Sequence, residues 1–101
     1  MKSIIQENRE CYICRTIYNI EGSGDDLHHC LHGSYRQLAD EDGLTVYLCR
    51  YHHSRLHDKG EFDMMLKIKA MRAYIAKLMT EGVSEEDARE RFRKRYDKFF
   101  E

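Results

Sequence analysis

The chain has 101 residues, no proline, 42% hydrophobic and 35% charged residues, and a formal net charge of -1. That length supports one domain with a small core in need of a staple, and the composition excludes a disordered chain. The near-neutral charge excludes a global attraction for nucleic acid, so any DNA contact must rest on local basic surface.

In chain order, residues 1–10 read as a lead-in with some helical character. Cys11-Tyr-Ile-Cys14 follows, and then residues 15–20, where Ile17, Tyr18 and Ile20 favour a short strand. Glu21-Gly-Ser-Gly-Asp25 marks a turn. Residues 27–31 read as a second extended run, 33–43 as a polar loop with one helical turn, and 44–49 as a third strand. A brief helix is expected over 51–57, where His53 and His57 share a face at i and i+4. From Phe62 to Thr80 apolar residues recur near helical period, and Gly82 closes that helix. Ser84 with Asp87 then opens another helix through Ala88, Phe92, Tyr96 and Phe99. No charged-then-apolar leader and no run of about 18 apolar residues is present, so a cytoplasmic protein without a membrane span is expected.

In a reducing compartment the four cysteines read as metal ligands more readily than as disulfides. Cys11-x-x-Cys14 and Cys49-x-x-His52 have matched spacing, and each pair can fill two corners of a tetrahedron. Together they predict a closed, structural Zn²⁺ site. Cys30 is the rival fourth ligand, but strand alternation against His29 turns it into the core, which favours His52. The bland alternative is a set of buried thiols in a small core.

His28, His29, His53 and His57 remain beside this knuckle. Adjacent strand residues point to opposite faces, so His28 and His29 are expected to differ in role. One would hold a divalent metal, and the other, with a near-neutral pKa, would take a proton from an attacking water. Phosphodiester hydrolysis uses both, and Arg36 is the candidate for added charge stabilisation. Lys67, Lys69, Arg72, Lys77 and the basic residues of the last helix could meet phosphates, although charged helix faces are usually only solvated.

Cys11-x-x-Cys14, Leu27-His28-His29 and Leu48-Cys49-x-x-His52-His53-x-x-x-His57 together resemble the HNH, or ββα-metal, endonuclease family. With Gly33-x-x-Arg36, Ala39-Asp40 and Gly43-Leu44, residues 11–75 are similar to small HNH proteins of phages and prophages. The resemblance implies that His28, His53 and His57 hold one catalytic divalent metal (Mg²⁺, Mn²⁺, Ni²⁺ or Zn²⁺) and that His29 is the general base. Together with the length and the helical pattern of the C-terminal half, it gives an expected α+β fold in a single domain over 1–101: a zinc-stapled ββα-metal unit over 11–58, then two C-terminal helices over 61–101. One departure stands out. The family's middle Asn falls at Leu44, which leaves the turn at Asp42-Gly43, or Thr45, to pin the loop. DNA is the expected partner, with a homodimer or a larger phage protein as further expectations. The alternative is a zinc module that binds DNA or a protein without catalysis.

Overall fold

Two of the helices begin at a cysteine, and the reason lies in the first-turn geometry of a helix. The first backbone N–H groups of a helix have no partner within it, and a side-chain acceptor at the N-cap satisfies one of them. Cys11 Sγ accepts from Cys14 N at the start of α1 (Tyr12–Thr16), and Cys49 Sγ accepts from His52 N at the start of α3 (Arg50–Lys59). The i, i+3 spacing read as a metal knuckle is therefore also a capping arrangement.

The computed structural model describes residues 2–100. Between these two helices lie β1 (Asp26–His29), a 3-10 turn (Gly33–Tyr35), α2 (Arg36–Asp42) and β2 (Thr45–Leu48). After α3 come α4 (Asp63–Thr80) and α5 (Glu85–Tyr96). β1 and β2 form a two-stranded antiparallel sheet, pairing Asp26 with Leu48, His28 with Val46 and His29 with Thr45. Cross-strand partners share a face, so Asp26 and His28 stand on the side of buried Val46 and Leu48, while Leu27 and His29 stand on the other. α3 packs against both strands.

Three sequence expectations need correction here. Residues 15–20 form no strand. The chain is helical through Thr16, and Ile17, Tyr18 and Ile20 are exposed with no sheet to cover them, so β propensity found no partner. Residues 33–43 hold more helix than one turn, because α2 runs to Asp42 and ends in left-handed Gly43, which donates to Ala39 and Asp40. Residues 2–10 carry no helix. They strap β2 instead: Ile4 N donates to Gly43 O, and Tyr47 N donates to Gln6 Oε1.

The C-terminal half forms two helices as its periodicity predicts, but α5 stops at Tyr96, where left-handed Asp97 ends it and leaves Phe99 outside the helix. Ser84 caps α5 by accepting from Asp87 N, and α5 lays Ala88, Phe92 and Tyr96 against α4, where Tyr74 meets the rings of Phe92 and Tyr96. Full burial of a side chain such as Phe92 contributes about 1.5–3 kcal/mol. The end of α5 is tied back to α2, where Asp42 accepts from both Arg95 Nε and the Tyr96 hydroxyl. Among the described residues no helix is long and apolar enough to cross a membrane.

Candidate metal centres

The two N-cap cysteines bring their i+3 partners to a common point. Cys11, Cys14, Cys49 and His52 offer donor atoms that all lie within 4.8 Å of one another. His52 Nδ1 stands 3.6, 3.5 and 3.3 Å from the sulfurs of Cys11, Cys14 and Cys49, and the Cys14 and Cys49 sulfurs are 4.0 Å apart. A tetrahedral Zn²⁺ would separate two sulfurs by about 3.8 Å and a sulfur from a nitrogen by about 3.6 Å. The donor set is therefore spaced and chosen as a closed zinc site requires. Burial, together with the neighbouring Cys11 and Cys49, pushes the Cys14 thiol up to about 12. Such crowding of ionisable sulfurs is what a bound dication relieves. Tyr18 stacks on the His52 ring at 5.5 Å, and Gly22 passes so close that a Cβ there would fall 2.5 Å from Cys14 Sγ. Cys30 is fully buried in the hydrophobic core and is not one of the four.

The second cluster sits at the junction of β1 and α3. His28 projects from the strand and His53 and His57 from one face of the helix, with donor atoms again within 4.8 Å of one another. Burial, followed by repulsion from His32, His53 and His57, drives the His28 pKa down to about 3, so its imidazole is neutral at ordinary pH, as metal ligation requires. His28 is 2% exposed, and its Nε2 has no hydrogen-bond partner. A buried polar atom left so is uncommon, and an ion is one explanation. Across from it, His53 Nε2 and His57 Nε2 face each other at 3.0 Å. Two imidazole nitrogens on one tetrahedral zinc would be about 3.3 Å apart. Asp26, on the same face of β1 as His28, binds His53 Nδ1 at 3.0 Å. A carboxylate behind a histidine in this way fixes the tautomer and leaves Nε2 free as a donor.

His29, on the opposite face, has different surroundings. Its Nε2 lies 3.1 Å from Asp40 Oδ1, and its Nδ1 accepts from Arg36 Nε at 3.4 Å. A guanidinium only donates, so Nδ1 carries the lone pair and Nε2–H is given to Asp40. Both neighbours come from α2, the helix underestimated from sequence. Asp42 is turned away to Arg95 and Tyr96, and buried Thr45 lies opposite His29 in the sheet. Asp40 thus holds His29, the part that the resemblance assigns to an Asn at the position of Leu44 and for which Asp42-Gly43 or Thr45 was the expected substitute. Leu44 itself is fully buried, its carbonyl accepting from Cys30 N.

His28, His29, Arg36, His53 and His57 open on one cleft of about 240 Å³. Asp26 and Asp40 were not read as site residues from the sequence. Asp26 could have been found from its i, i+2 relation to His28 on a strand. Asp40 needed the extent of α2.

Some basic residues of the C-terminal half are engaged within the chain. Arg93 pairs with Glu90, Arg95 with Asp42, Lys67 with Asp63, and the Arg89 guanidinium lies 4.2 Å over the Phe99 ring. No family model, no curated protein and no solved structure matches this chain.

Proposed function

We propose that the protein is a metal-dependent endonuclease of the HNH type that hydrolyses DNA phosphodiester bonds, with a separate structural zinc held by Cys11, Cys14, Cys49 and His52. One observation carries the reading. Two consecutive residues of β1 open on the same cleft in opposite chemical states: His28 buried, neutral and unpartnered among His53 and His57, and His29 at the rim with its tautomer fixed by Asp40 and Arg36.

His28, His53 and His57 would hold a catalytic divalent cation, with Asp26 orienting His53. Such an ion supplies Lewis-acid polarisation of a phosphate oxygen and stabilises charge on the leaving oxygen. His29 acts as the general base. Its Nδ1 lone pair takes the proton from the attacking water as the water oxygen bonds to phosphorus and the bond to the leaving oxygen breaks. Asp40 accepts the Nε2–H throughout and stabilises the imidazolium that forms. Arg36 occupies Nδ1 in the free protein and is drawn off by the phosphate, where its charge is better satisfied. Substrate binding in this scheme both engages Arg36 and uncovers the base.

With a net charge of -1, affinity for DNA comes from the cleft together with a second copy or a larger phage partner. Relaxation of supercoiled plasmid in Mg²⁺, Mn²⁺ or Ni²⁺ tests the activity.

A further inference from the structure

Beside the histidines already described stands one that the nuclease reading does not use. His32, between β1 and the 3-10 turn, has its ring centroid 5.2 Å from that of His28, and its Nε2 is 2.7 Å from Asp63 Oδ1. Asp63 is the first residue of α4, and its other oxygen is held by Lys67 at 2.9 Å. Phe62, the N-cap before it, adopts a left-handed φ of 64°, a conformation unusual for a bulky residue.

A hydrogen-bonded His32–Asp63 pair needs no third group. The third group is nevertheless there. His28, His32 and Asp63 offer donor atoms within 4.8 Å of one another, and His28 Nε2 is buried without a partner. Two imidazoles and a carboxylate make a common donor set for Zn²⁺ and for other divalent first-row metals.

We propose that His28, His32 and Asp63 form a second position for a divalent cation, adjoining the position at His28, His53 and His57 and sharing His28 with it. With the partnerless Nε2 of His28 as the shared ligand, one ion is served at a time, so the pocket holds one ion in either of two places. In one place it lies against α3. In the other it replaces the proton between His32 and Asp63 and ties the start of α4 to β1. The inference rests on the reading of His28 as a metal ligand, and it is independent of DNA cleavage.

The test is zinc bound per chain after equilibrium dialysis against buffered Zn²⁺, with helical circular dichroism as a check on folding. The full chain is compared with His53→Ala/His57→Ala and with the same double variant carrying Asp63→Asn. The double variant is expected to keep one zinc beyond the ion held by the cysteines, and addition of Asp63→Asn, or of His32→Gln in its place, is expected to remove it. A double variant that holds only the cysteine-bound zinc, while the unmodified chain holds one more, overturns the second position and leaves the first intact. Retention of the extra zinc in both triple variants overturns it as well, since other donors would then be responsible. Loss of plasmid cleavage has no bearing on either count, so the nuclease reading fails or stands separately.

Discussion

His53 and His57 meet nitrogen to nitrogen across one turn of α3, their Nε2 atoms 3.0 Å apart. With His53 Nδ1 given to Asp26, the proton between the two rings belongs to His57 in the free protein, and in the proposed metal-bound state a cation would take its place. Asp26→Ala removes the group that sets this tautomer. Affinity for the ion at the histidine cluster is expected to fall about 10- to 100-fold, while zinc held by the cysteines stays. Competition against a chromophoric chelator measures both. Equal affinity in the variant would show that Asp26 does not orient His53.

The cysteine site is expected to carry much of the stability of the N-terminal half. A chain of this size has little core to spare, and the energy of binding a structural metal is folding energy. Cys49→Ser removes both a ligand and the N-cap acceptor of α3. It is expected to lose the zinc and the cooperative thermal transition of the metal-rich half, as strong chelation of the unmodified protein should also do. Gly22→Ala is the milder probe, because it keeps all four ligands and only crowds one of them, its Cβ falling 2.5 Å from Cys14 Sγ. Weakened zinc retention with normal α4 and α5 helicity is the expected result.

Asp40 is expected to act on catalysis through His29. Asp40→Ala frees His29 Nε2 and lets the tautomer drift, so kcat should drop while KM for DNA changes little. Removing the base itself, in His29→Ala, should cost about 10²- to 10⁴-fold. A folded Asp40 variant with an unaltered kcat would show that this carboxylate takes no part in the reaction.

Tyr96 provides a pH prediction away from the metal ligands. Burial, and then its hydrogen bond to the Asp42 carboxylate, raise the phenol's pKa above the usual 10. The folded state therefore holds its proton where the unfolded state has lost it, so stability is complete below about pH 10 and declines as pH rises through the alkaline range. Tyr96→Phe is expected to cost about 1.5–3 kcal/mol at neutral pH and to flatten that alkaline decline. Denaturant unfolding at pH 8 and at pH 11 reads both effects.

Much of this arrangement was legible in the sequence where a single physical constraint dominated. The apolar stripe of α4, the Ser84 cap and the i, i+3 and i, i+4 ligand spacings each depend on local geometry alone. The opposite facing of His28 and His29 followed from strand alternation. What escaped was set by tertiary context. Ile17, Tyr18 and Ile20 carry β propensity, but the cysteine knuckle holds the chain in a helical turn with no strand beside it. Nothing in the local sequence ties Asp26, Asp40 or Asp63 to a histidine; the sheet register, α2 and the start of α4 bring each to one.

The most direct test of the nuclease reading is relaxation of supercoiled plasmid by the protein and by His29→Ala, purified side by side with their zinc content measured and assayed in Mg²⁺, Mn²⁺ and Ni²⁺. The expected result is metal-dependent nicking by the unmodified chain and its loss in His29→Ala, with the cysteine-held zinc present in both. Zinc-loaded, folded protein that leaves the plasmid intact under every metal would contradict it and favour a zinc module that binds DNA or a protein partner without cutting. Equal nicking by both preparations would remove His29 as the base.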